Sequence, residues 1–216
     1  KEVYQKYNSK INYIKELVDS KLKEKNDDSR DSKEQVHFRA EVEAFYSALL
    51  DAFLSLKDFD QAKVAFNEYS PQDEASFVTM IRIYTFESNL KQALEMFLSL
   101  KKIRKLENKS PTISGYGAIL NACAKLGNMN LAEELLQEMF NNKVYPNSYV
   151  YSNVINGYRL SGRLDLAIQA YKLAELDIDN YTVAVLNTVL NACADENEFK
   201  KLTNIFDTAV NEHGVI

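Results

Sequence analysis

At 216 residues, with 46% apolar and 26% charged side chains, the chain can bury a sizeable core, and it holds no uncharged apolar run long enough to span a bilayer. Six Gly and three Pro are too few turn formers for an all-β fold, so the composition points to helix. A formal charge of −5 excludes a polycation that holds nucleic acid by bulk attraction, and any nucleic-acid site has to be local.

The first residue is Lys1 rather than Met, and no apolar h-region follows it, which reads as a processed form or a fragment. Within residues 1–25, Val3, Tyr7, Ile11, Ile14, Leu17 and Val18 form one helical stripe among Lys and Asn. This predicts an N-terminal helix that caps the following stack; docking of a partner is the alternative use of such a stripe. Residues 26–36, which include the apolar-free run NDDSRDSKEQ, predict a polar linker, and residues 37–216 predict one helical repeat domain.

The repeat is visible by self-comparison. Residues 113–147 align with residues 148–182, each segment being 35 residues long. In both, Tyr is fourth (Tyr116, Tyr151), Gly is fifteenth (Gly127, Gly162), and an apolar residue precedes Ala by three positions (Met129 and Ala132, Leu164 and Ala167). The Ala marker continues backward to Ala93 and Ala62 and forward to Leu202, in steps of 31, 39, 35 and 35. The predicted units are therefore 43–73, 74–112, 113–147, 148–182 and 183–216.

Each unit reads as two helices. Residues 149–160 place Val150, Val154, Ile155 and Tyr158 at helical spacing, and residues 129–140 place Met129, Ala132, Leu135, Leu136 and Met139 on one face. Glu133, Glu134, Gln137 and Glu138 are expected on the solvated face. Gly127 and Gly162 fit a left-handed position between the helices, and Pro146 ends the second helix region. A lone unit cannot bury both stripes, so neighbours must stack into a superhelix with a concave and a convex face.

Cys123 and Cys193 occupy equivalent places in LNACAKLGNMN and LNACADENEFK and read as small core residues. A metal would need more ligands than these and His37 and His213 supply. No phosphate loop, HExxH or nucleophile elbow is present, so neither a catalytic residue, a metal site, a cofactor nor a small-molecule substrate is expected.

Units of 35 with Tyr fourth, Gly-x-apolar-x-x-Ala in the middle, Met139 closing the second helix and Pro146-Asn147 at the end resemble pentatricopeptide repeats. The short unit 43–73 and the long unit 74–112 resemble the length variants of that family. The tetratricopeptide repeat is the rival, but its period is 34 and its first helix carries a Trp that this chain lacks. The resemblance implies an all-α, right-handed superhelical solenoid of about five helix-turn-helix repeats behind an N-terminal capping helix.

It also implies single-stranded RNA as partner, in a mitochondrion or chloroplast, for transcript processing, stability or translation. In that family the base is read chiefly by the fifth and last residues of a unit and clamped by the second. Carried onto this chain, the fifth residues are Ser47, Val78, Gly117, Ser152 and Asn187, and the last are Asp73, Thr112, Asn147 and Thr182. The second are Ala44, Ala75, Ser114, Tyr149 and Ala184. Ser47 with Asp73 resembles a guanine-favouring pair, whereas Gly117 and Val78 offer no hydrogen-bonding side chain. Lys125 and Arg159, one turn before the inter-helix glycines, are the phosphate candidates. The alternative function is a scaffold that makes protein contacts inside a large organellar ribonucleoprotein such as a mitochondrial ribosome; the charge of the concave face discriminates the two.

Overall fold

The computed structural model describes Glu16, residues 32–176 and residues 181–213. Ten helices and no strand run through residues 32–213 of this description: α1 (Ser32–Leu56), α2 (Phe59–Tyr69), α3 (Glu74–Phe86), α4 (Leu90–Leu106), α5 (Ile113–Lys125), α6 (Met129–Asn141), α7 (Ser148–Leu160), α8 (Leu164–Glu175), α9 (Val183–Asp195) and α10 (Phe199–His213). They form five consecutive pairs in the register of the sequence units, an all-α solenoid. Apart from Glu16, the expected N-terminal helix over 1–25 lies outside the described residues. None of the described helices is long and apolar enough to cross a membrane.

One boundary differs from expectation. α1 starts at Ser32, inside the stretch 26–36 read as a linker. Ser, Lys, Glu and Gln can supply the first turns of a helix when later turns are anchored, and here Val42, Tyr46, Leu49, Leu50 and Phe53 are buried further along the same helix. A stretch without apolar residues can therefore still be helix.

Turns within the units share one backbone solution. The fifteenth residue of every unit is left-handed: Lys57 (φ 57°), Ser88 (57°), Gly127 (75°), Gly162 (66°) and Asn197 (58°). The residue after it starts the second helix, and in three units its side chain caps that helix: Asp58 accepts from the Gln61 N–H, Asn89 from Gln92 and Asn128 from Leu131. Arg163 holds the same place without a side-chain cap.

The small markers sit where helices cross. Ala62, Ala93, Ala132 and Ala167 are fully enclosed, and Cys123 and Cys193 are free thiols in the core. Burial pushes the Cys123 thiol up to about 12 and raises Cys193, so both stay protonated and inert near neutral pH. Tyr116 is buried, meets Phe97 edge-on with ring centroids 5.3 Å apart, and donates its hydroxyl proton to Glu138 (2.8 Å). Glu138 also takes Lys101 of the preceding unit at 2.6 Å, so it ties two units together instead of standing on a solvated face; Glu133, Glu134 and Gln137 are exposed as expected.

Contacts along the stack are unequal. Each first helix packs on the first helix of the next unit, α1 on α3, α3 on α5, α5 on α7 and α7 on α9, whereas no two second helices pack substantially on each other. Helices that converge form the inner wall of a curved stack and helices that diverge form the outer one. The concave face is therefore built from α1, α3, α5, α7 and α9.

Candidate nucleic-acid interface

All fifth and second positions lie on these inner helices. Ser47, Val78 and Ser152 are half-buried, Asn187 is exposed, and Ala44, Ala75, Ser114, Tyr149 and Ala184 are exposed. Gly117 is buried, and a Cβ there would come within 3.3 Å of the Tyr149 ring. The absent side chain lets the Tyr149 ring lie against the third unit while the residue stays 54% exposed. An open aromatic face on an inner helix can stack a base without regard to its identity.

The four last positions have a structural task. Asp73, Thr112, Asn147 and Thr182 are the N-cap residues of α3, α5, α7 and α9. Asp73 accepts from the Ser76 N–H at 2.8 Å, Thr112 from Ser114 at 3.2 Å, Asn147 from Val150 at 3.1 Å and Thr182 from Val185 at 3.4 Å. Each cap satisfies one backbone donor that the helix leaves open, which stabilises by about 1 kcal/mol. The Asn147 amide nitrogen makes no hydrogen bond among the described residues and remains available as a donor.

Thr112 is held differently from the rest. Glu74, the first residue of its own unit, places Oε1 at 2.8 Å from the Thr112 N–H, 2.7 Å from its hydroxyl and 3.1 Å from the Gly115 N–H. The other oxygen, Oε2, lies 3.5 Å from Arg104 Nε and is otherwise without a partner. A carboxylate at a helix N-terminus is favoured by the exposed N–H groups and the helix dipole. The arrangement requires glycine at 115, since a Cβ there would sit 2.7 Å from Oε1.

Comparison with known proteins identifies the architecture. Models of the PPR repeat match residues 75–104 and 149–175, and a PPR repeat family model matches residues 111–159. A pentatricopeptide repeat-containing protein of Arabidopsis thaliana, At1g03540, is 26% identical over 164 residues, 76% of this chain and 25% of its own length. A second, At1g56690, named mitochondrial, is 30% identical over 122 residues, 53% of this chain and 16% of its own length. Residues 75–104 and 111–175 therefore carry PPR repeats, and the chain is similar to pentatricopeptide repeat proteins. It spans about a quarter or less of the curated relatives it matches. Among solved structures, pentatricopeptide repeat protein PPR10 in complex with an 18-nt psaJ RNA element superposes with a TM-score of 0.67 at 21% identity, over 81% of this chain and 26% of that one. The PPR domain of Arabidopsis thaliana protein-only RNase P 1, in complex with tRNA, gives 0.61 at 14% identity, over 78% and 89%.

In this pentatricopeptide stack the two phosphate candidates are already engaged. Lys125 is exposed on α5, with Nζ 5.6 Å from the centre of the Phe86 ring of the preceding unit. Arg159 pairs with Asp195 of the next unit and donates to Asn156 Oδ1 through Nε (3.0 Å) and NH2 (2.9 Å). Its charge is shared with Asp195 in a solvent-accessible pair, a partner the sequence reading missed because Asp195 lies 36 residues away. Glu74 was missed for the same reason. The one local signal was Gly115 inside a helix, a position with no turn to serve and so a place where something approaches closely.

Proposed function

We propose that this chain binds single-stranded RNA along its concave face, one base per unit, and acts in RNA processing, stability or translation in a mitochondrion or chloroplast. The observation that carries the reading is Tyr149 lying open over Gly117 between two N-caps, Asn147 and Thr182, that retain free hydrogen-bonding capacity. Support comes from the RNA complex of PPR10 and from relatives named mitochondrial. The base-facing and base-clamping positions set out above are the groups proposed to meet the strand, with Lys125 and Arg159 toward phosphates.

A scaffold role is the second reading, favoured by the Arg159–Asp195 pair, which leaves the inner wall of the last two units nearly neutral. Filter binding of short single-stranded RNAs at two salt concentrations separates the two. RNA binding predicts salt-dependent retention that Lys125→Ala with Arg159→Ala weakens for every sequence alike, while Asn147→Asp changes the base accepted by the third unit. No retention of any RNA by the wild type leaves the scaffold.

A further inference from the structure

The chain contains a matched pair of residues with different surroundings. Thr112 closes the second unit and Thr182 closes the fourth, both as N-caps of the following helix. A hydroxyl has one proton to donate. The proton of Thr182 has no acceptor among the described residues, whereas that of Thr112 goes to Glu74 Oε1 at 2.7 Å, a charge-assisted bond. The residue equivalent to Glu74 in the fourth unit is Ser148, which has no carboxylate to offer. The fifth residue of the second unit is Val78, with no polar side-chain atom, and it packs against the core. The second unit therefore presents no free donor to a base edge, and the one lone pair left on Thr112 sits beside a carboxylate that repels acceptor edges and phosphate.

We infer that Glu74 makes the second unit silent, so that RNA bound to this chain meets one nucleotide without base selection between the positions read by the first and third units. Glu74 is a positioning residue: it acts through Thr112 and touches no base itself. This rests on the RNA reading above. A stacked base can still occupy the unit, because Ala75 and Val78 offer apolar surface that accepts all four.

The test is bind-and-sequence selection from a pool of randomised single-stranded RNA, run with the wild type, Thr112→Val, Thr182→Val and Glu74→Ala, with circular dichroism confirming that each is folded. The wild type should show less than about a twofold spread among bases at the nucleotide facing the second unit, against about fivefold or more at the fourth. Thr112→Val should leave the whole profile unchanged, Thr182→Val should flatten the fourth position, and Glu74→Ala should create a preference at the second. Should Glu74→Ala fail to fold, Glu74→Ser, the residue at the equivalent place in the fourth unit, takes its place with the same expected outcome. A wild-type preference at the second position that Thr112→Val removes would overturn the inference while leaving RNA binding intact; a folded Glu74→Ala with no new preference overturns the role of Glu74. A pool with no enriched RNA at all removes the RNA reading and this inference with it.

Discussion

At the tenth residue of its unit α3 carries Ile83, and at the same place α7 carries Gly157. Both are buried in the seam between successive first helices, but the seams differ. Ile83 fills space against α1, while at Gly157 a Cβ would meet the Met129 sulfur at 2.4 Å and the Ala124 Cβ at 2.9 Å. Units three and four approach until backbones nearly touch, whereas units one and two keep a full side chain between them. The same contrast appears in the turns: the closely packed units use Gly127 and Gly162 at the left-handed position, and the first two use Lys57 and Ser88, which carry the strain of a Cβ there. Regular period, glycine turns and close seams occur together, in units three and four, where the stacking repeats itself.

The largest expected effect breaks the close seam. Gly157→Val forces α5 and α7 apart and should cost about 3 kcal/mol, whereas Ile83→Val, which removes one methyl from the open seam, should cost about 1 kcal/mol. Urea unfolding monitored by circular dichroism measures both; equal losses would mean the two seams are alike.

The next effect has opposite signs in the two regions. Gly127→Val should destabilise by about 1 kcal/mol or more through strain at a positive φ, although nothing lies within 4 Å to clash with it. Ser88→Gly should raise the melting temperature, because it relieves the same strain in the second unit. A fall in both would show that the turns differ in more than residue type.

Much of this was legible in the sequence, for reasons that can be named. The Ala markers were found because crossing helices tolerate only small side chains, and each of the four is enclosed. Gly127 and Gly162 were found because the left-handed turn selects glycine. Lys57, Ser88 and Asn197 do the same task without that residue and left no signal. The beginning of α1 was missed because its first turns are polar. The candidate site was legible only as positions. That Asp73, Thr112, Asn147 and Thr182 cap helices is readable from residue type before an apolar run, independently of the base contacts that the resemblance implies. The engagement of Thr112 by Glu74 and of Arg159 by Asp195 depends on stacking of residues 38 and 36 apart, which no local pattern carries.

The smallest effect is a difference in alkaline stability. Burial first, then the charge of Glu133, pushes the Tyr158 phenol from 10.0 up to about 12, and burial together with a hydrogen bond to Glu138 raises Tyr116. A phenol whose folded value is raised favours the folded state fully below about pH 10, and that contribution is lost as the pH climbs toward 12. Tyr158→Phe should be slightly less stable than wild type at pH 8 and should lose less stability between pH 10 and 11.5, as read from denaturation midpoints at both ends. Parallel pH profiles would contradict the burial of that hydroxyl.

The central claim, that the first helices form the wall that holds RNA, is tested most directly by mapping contacts. A single-stranded RNA carrying 4-thiouridine is crosslinked to the protein, digested with trypsin and read by mass spectrometry. The account predicts adducts on peptides of α5, α7 and α9, foremost on the peptide 144–159 that contains Tyr149. Adducts confined to the outer helices α4, α6 and α8, or none on any peptide, would contradict it.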